Sequence, residues 1–261
     1  MNNLIGIFDT HAHYDDVKFD ENRDDLLSSM NTDGVSYICN VGADLKSSET
    51  SIKLANKYEF IYAAVGVHPE CIYNLPEDWL NRVEDLSKKD KIVAIGEVGL
   101  DYHYPDFSKE KQLDAFERQL DLAQKLNKPV IIHSRDAVED TISILKNFPG
   151  VSGVIHCFSG SAEVAYKYVD MGWYIGLTGV VTFKNAKKAV EVARVIPIEK
   201  IVIETDCPYM APEPWRGKCC NSKMLVSVAT KIADIKELLP QEVVDITRNN
   251  AFKLYRLDVQ N

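Results

Sequence analysis

The sequence predicts a single (β/α)8 TIM barrel, an α/β fold, and three observations carry that prediction. Eight apolar, β-type runs alternate with segments of helical periodicity along the 261 residues. The runs are continuously apolar rather than alternating, which is the pattern of parallel strands covered on both sides. Most of the histidines, with two acids, fall at or just past the C-terminal ends of these runs, and barrels of this type carry their sites on that face. No long linker and no internal repeat interrupts the pattern, so residues 1–261 read as one domain.

The runs are "LIGIF" at 4–8, "VSYICNV" at 35–41, "FIYAAVGV" at 60–67, "KIVAIGEV" at 91–98, "PVIIH" at 129–133, "GVIHCF" at 153–158, "GWYIGL" at 172–177 and "KIVIET" at 200–205. The clearest helix lies over 108–127, where Leu113, Phe116, Leu120, Ala123 and Leu126 recur at three- and four-residue steps. Ser108 is placed to cap its start. "SAEVAYKYVDMG" is a second helix, with Gly172 suited to the left-handed position just past its end. A helical pair over about 222–238 and 241–254 closes the chain. A doubly wound open sheet is the competing architecture, but no G-x-G-x-x-G or P-loop follows the first run.

Composition narrows the function. A formal net charge of −9 argues against a broad face for duplex DNA, because phosphate neutralisation supplies most such affinity. It leaves room for a small cleft that holds one strand end on metal cations and a few local Arg and Lys residues. The six cysteines form no C-x-x-C pair, and Cys39 and Cys157 sit in apolar runs, so the chain reads as intracellular, cytoplasmic and reduced. The adjacent Cys219 and Cys220 are the oddity. The N-terminus has neither a basic n-region nor a long apolar h-region, and no stretch reaches transmembrane length. Neither a membrane nor an obligate protein partner is expected.

His11 and His13, at i and i+2, follow the first run and point to one face if the strand continues. His68 follows the third run, Glu97 lies near the end of the fourth, His133 ends the fifth, His156 lies near the end of the sixth, and Asp206 follows the eighth. Any one of them has an ordinary explanation as a polar core residue, the partner of a buried Arg or a helix cap. Together, four imidazoles and two carboxylates converging on one rim need a cation, because buried carboxylates must be paired. Six donors exceed the three protein ligands of one catalytic zinc and suit two divalent ions. The division expected is His11, His13 and Asp206 on one, His133 and His156 on the other, with Glu97 shared. Two such ions polarise a phosphoryl oxygen and activate water, with Asp206 as the general base. Zinc, manganese, iron, cobalt and nickel fit this donor set, and magnesium is the less usual choice.

With these residues in view, the chain resembles the TatD family of metal-dependent deoxyribonucleases, within the wider amidohydrolase-like barrels. The motifs are "FDTHAHYD" at 8–15, "AAVGVHP" at 63–69, "AIGEVGLDY" at 94–102, "PVIIHSRDA" at 129–137, "HCFSG" at 156–160, "IETDCPYMAP" at 203–212 and "RGK" at 216–218. The resemblance implies a TIM-barrel hydrolase with a binuclear site. Its ligand positions fall on His11, His13, Glu97, His133, His156 and Asp206. His68 and Arg135 match positions expected to hold the phosphate, Arg through a bidentate grip. Glu204 is expected to orient a ligand histidine through its other ring nitrogen, and Asp101 to do the same or to touch substrate. Asp9 is a further candidate partner for the strand histidines, and His103 matches no ligand position. One stretch departs from the family. After "RGK" a basic residue and an Asn-Glu-Pro-like sequence are usual, whereas here "CCNSKML" follows with an apparent one-residue insertion.

The leading expectation is a 3′→5′ exodeoxyribonuclease that prefers single-stranded DNA. Tyr102, Tyr104, Phe107, Phe158, Phe183 and Trp215 are available to stack on unpaired bases. The same two ions would also serve an amide, lactone or aminoacyl ester, since fold and ligand set do not separate attack at carbon from attack at phosphorus. A metal-holding barrel without activity is the third reading. It has little need for both a full ligand set and a base.

Overall fold

A computed structural model describes residues 4–104 and 107–258. Eight strands form one sheet in the order β1 to β8, with parallel pairing, and helices follow the strands as in the (β/α)8 barrel that the sequence predicts. Packing divides the chain into two compact units. One runs up to Asn40 and resumes at Cys157, and the other spans Val41–His156.

The first unit holds β1 (Ile7–Ala12), β2 (Val35–Val41) through Asn40, β7 (Tyr174–Leu177) and β8 (Ile201–Ile203). Its helices are α1 (Arg23–Ser28), α6 (Ala162–Asp170), α7 (Lys187–Val195), α8 (Leu225–Lys236) and α9 (Pro240–Tyr255). Every residue of β1 is buried, and Phe8 packs against Tyr37, Phe252 and Tyr255. Truncating such an aromatic to alanine costs about 3–5 kcal/mol. β1 begins later and ends later than the apolar run at 4–8. Ile5 stays out because the Gln241 side chain takes both its N–H and its carbonyl, at 3.1 and 2.9 Å. Asp9, Thr10 and His11 stay in because each finds polar partners in the interior.

The second unit holds β3 (Ile61–Val65), β4 (Ile92–Asp101), β5 (Val130–Arg135) and β6 (Gly153–Ile155). Its helices are α2 (Leu45–Lys57), α3 (Trp79–Ser87), α4 (Lys109–Leu126) and α5 (Val138–Lys146). Asp44 and Ser47 cap α2 reciprocally: Ser47 N–H donates to Asp44 Oδ1 at 2.6 Å, and Asp44 N–H to Ser47 Oγ at 2.8 Å. All ten residues of β4 are buried, so Glu97 and Asp101 enter the interior on a strand that is otherwise apolar or glycine. Gly99 lies between them with φ +143°, and a Cβ there would stand 2.0 Å from the His133 carbonyl oxygen. Only glycine lets β4 approach β5 at that point, where Gly99 pairs with His133. Among the described residues, no helix is long and apolar enough to cross a membrane.

Candidate metal and hydrolytic site

In the first unit a backbone ladder extends past β1 and β8. His11 carbonyl accepts from Asp206 N–H at 2.9 Å, His13 N–H donates to Cys207 carbonyl at 2.9 Å, and Ala12 pairs with Cys207 between them. This ladder brings three sequence-predicted residues together. His11 Nε2 lies 3.0 Å from His13 Nε2, and Asp206 Oδ1 lies 3.8 and 3.4 Å from the two nitrogens. Donors held tetrahedrally at about 2.0–2.1 Å from zinc stand about 3.3 Å apart, so these spacings fit one divalent ion. The donors are nitrogen and oxygen without thiolate, as first-row divalent metals accept. His11 is fully buried, while His13 and Asp206 keep a partly open side. Asp206 has φ +57°, a turn that starts immediately after Thr205.

Beneath this trio lies a polar knot that the motifs did not disclose. Asp9 accepts from Thr205 N–H at 3.0 Å, Thr205 Oγ1 at 2.7 Å, Ser222 Oγ at 2.6 Å and His11 N–H at 3.3 Å. Burial pushes the Asp9 carboxyl up to about 6 even though those hydrogen bonds pull it down. Asp9 therefore fixes the backbone that carries His11 and the turn that carries Asp206. Ser222 comes from the stretch that departs from the family pattern. In the same stretch Cys219 is exposed and Cys220 buried, so the two adjacent thiols face different surroundings. Glu204 is fully buried and accepts from Cys157 N–H at 2.5 Å and Thr10 Oγ1 at 3.4 Å. A side chain at Gly176 would collide with its carboxylate, at 2.6 Å from a Cβ.

The second unit gathers its group around one oxygen. Glu97 Oε1 lies 2.8 Å from His133 Nδ1, 2.9 Å from His156 Nε2 and 3.7 Å from His68 Nε2. Glu97 sits mid-strand in β4 rather than near its end, because β4 runs on to Asp101. His133 likewise lies inside β5, which runs on to Arg135, and His156 is one residue past β6. His133 Nε2 meets Asp101 Oδ2 at 2.9 Å, so a carboxylate faces each ring nitrogen. Burial works against its proton, but Asp101 and Glu97 outweigh burial and raise His133 to about 8. Asp101 moves the other way: burial favours its neutral form, yet His133 and the His103 N–H hold it below the ordinary carboxylate value.

His68 stands apart in its protonation. It caps the 3-10 turn Pro69–Asn74, with Nδ1 accepting from Glu70 N–H at 3.2 Å. Burial lowers its pKa to about 3 against the pull of Glu97, so the ring is neutral. A neutral imidazole that accepts at Nδ1 carries its proton on Nε2. His68 thus presents a donor rather than a metal-binding lone pair, although its Nε2 lies among the ligand atoms of Glu97 and His133. Arg135 ends β5 at the surface, its guanidinium 5.6 Å from the Tyr104 ring centroid. His103, exposed, faces Asp136 at 3.3 Å.

Two buried glutamines on α4 went unnoticed in the sequence. Gln112 takes the N–H and carbonyl of Asp101, both at 2.8 Å, and Gln119 takes those of Val67, at 2.8 and 3.0 Å. They were visible as polar residues seven apart on the inward face of an amphipathic helix. The buried face includes Gln112 and Gln119, while Leu113 and Leu126 are only half-buried.

A family model described as TatD related DNase matches residues 8–256. The chain is 41% identical over 254 residues to the uncharacterized metal-dependent hydrolase YabD of Bacillus subtilis, covering 97% of this chain and 100% of that protein. It is 35% identical over 260 residues to the uncharacterized metal-dependent hydrolase YcfH of Escherichia coli K12, covering 97% and 96%. The crystal structure of YjjV, a TatD homolog from Escherichia coli K12, superposes with a TM-score of 0.91 at 28% identity, covering 97% of this chain and 98% of that one. The chain belongs to the TatD-related DNase family of metal-dependent hydrolases.

Proposed function

We propose that this hydrolase is a phosphodiesterase, a 3′→5′ exodeoxyribonuclease that prefers single-stranded DNA and works with two divalent ions. His11, His13 and Asp206 would hold one ion, and His133, His156 and Glu97 would hold the other. The observation that carries this reading is the donor spacing of 3.0, 3.4 and 3.8 Å among His11, His13 and Asp206. The crowd of imidazoles around Glu97 Oε1 supports the second ion. When bound, such ions polarise a phosphoryl oxygen and make water a competent nucleophile near neutral pH. Asp206, partly open to solvent, would accept a proton from the attacking water. His68 would donate a hydrogen bond from Nε2–H to a phosphoryl oxygen, and Arg135 would grip the phosphate from the end of β5. Asp101 holds the His133 ring in place from the side opposite Glu97. Residues 1–261 act as one catalytic domain, a reading supported by one family model that runs from 8 to 256.

The test is degradation of a 5′-labelled single-stranded oligonucleotide by metal-stripped protein. Magnesium, manganese, zinc, cobalt and nickel are added back singly, with Asp206→Asn in parallel. A metal-dependent ladder that shortens from the 3′ end, and is lost in the variant, is expected. Turnover of an ester or amide panel without oligonucleotide cleavage would move the activity to carbon-centred substrates.

A further inference from the structure

We propose that Tyr73, Tyr102 and Tyr104, with the cations over their rings, form a strand-binding track that starts at the phosphate-gripping Arg135 and holds the unpaired nucleotides beside the one being cleaved. The inference rests on the phosphodiesterase reading and extends it to how substrate is recognised. Three tyrosines of this region each lie under a cation. Lys109 Nζ is 4.0 Å from the Tyr102 ring centroid, Arg135 Cζ 5.6 Å from that of Tyr104, and Lys111 Nζ 5.6 Å from that of Tyr73. The rings also form a row. Tyr104 meets Phe107 edge-on at 6.0 Å, and Phe107 stacks on Tyr73 at 4.9 Å with 20° between planes.

Tyr102 and Arg135 tie this region to the hydrolytic group. Tyr102 directly follows Asp101, whose carboxylate holds His133, and Tyr102 N–H donates to the Arg135 carbonyl at 2.9 Å. Tyr104 is 45% exposed, and Arg135, Lys109 and Lys111 are exposed as well. Among the acids here, Asp140 accepts from Tyr102 OH at 2.7 Å, Glu110 from Ser108 Oγ at 2.9 Å, Asp136 faces His103 at 3.3 Å, and Glu70 lies within electrostatic reach of Arg135. Aromatic faces accept any base, and adjacent cations accept the phosphates between bases. That is the chemistry of sequence-tolerant single-strand binding.

The test compares two substrates of one holoenzyme. The oligonucleotide dT12 reaches along the track, whereas bis(p-nitrophenyl) phosphate offers only the scissile group. In Tyr104→Ala, kcat/KM for dT12 is expected to fall at least about tenfold relative to kcat/KM for the small diester, the effect of one lost stacking partner. Tyr104→Trp, which keeps a ring, is expected to restore the ratio. An unchanged ratio in Tyr104→Ala would overturn the track and leave the phosphodiesterase reading intact. If the wild-type enzyme cleaves neither diester, that reading fails by itself. Fluorescence anisotropy of labelled dT12 on metal-stripped protein then decides the track. Binding at least about tenfold weaker in Tyr104→Ala supports it; equal binding, or none to wild type, overturns it.

Discussion

Glu97 Oε1 lies 2.8 and 2.9 Å from the nitrogens of two imidazoles, while the His11, His13 and Asp206 donors crowd together within ligand distance of one another. Such donor sets are stable as ligands, and their removal should change metal content more than fold. His11→Ala combined with His13→Ala is expected to lower bound metal by about one ion per chain and turnover by at least about 100-fold. Elemental analysis beside circular dichroism checks both. Full metal content in the double variant would remove these histidines from the site. His133 makes a pH prediction. Its pKa rises from 6.5 to about 8 in the fold, so the charged ring paired with Asp101 and Glu97 is the stabilised form. That contribution, about 2 kcal/mol, is complete below about pH 6.5 and is lost as pH rises through about 8. The melting temperature of metal-stripped protein should fall over this interval, and Asp101→Asn should flatten the fall. Metal affinity should strengthen over the same range, because binding displaces the His133 proton.

On α4, Gln112 and Gln119 do with side chains what a neighbouring strand does with backbone, each pairing both polar groups of one buried residue. Gln112→Ala leaves the N–H and carbonyl of Asp101 without that partner. The expected loss is about 2–4 kcal/mol in urea unfolding, together with weaker metal binding as His133 loses its fixed neighbour. A loss under about 0.5 kcal/mol would mean that Gln112 does not hold β4. The elements themselves were legible, because doubly covered strands leave continuous apolar runs; β2 spans 35–41 as read. Boundaries drifted where polar residues remain in the ladder, as at Asp9–His11 in β1 and Ser134–Arg135 in β5. Composition marks those residues as loop, and only tertiary hydrogen bonds make them strand. The histidines and acids stood out through their places in the motifs. Asp9, Asp101 and Glu204 stood out with them as supports, but the residues that hold Asp9 and Val67 did not, because Asp9 finds Ser222 across 213 positions and Val67 finds Gln119 across 52. The Gln pair was the exception, with a readable sign on the inward face of a helix.

The whole molecule carries a net charge of −9 and is proposed to act on a polyanion, so its salt dependence discriminates between modes of engagement. A broad basic face would release many counterions and give a steep loss of kcat/KM with salt. Among the described residues, Arg135, Lys109 and Lys111 face the Tyr104, Tyr102 and Tyr73 rings. For a single strand, three neutralised phosphates correspond to a log–log slope of about −2. Long-range repulsion between an acidic protein and DNA opposes this, because added salt screens it over about a Debye length of 8 Å near physiological ionic strength. The two effects have opposite signs, so the observed slope for dT12 should lie between zero and about −2. Charge reversal at one cation, Lys111→Glu, should remove one of the contacts and lift the slope by about 0.7. A wild-type slope steeper than about −4 would require more phosphate contacts than these residues supply, and would place strand binding on another surface.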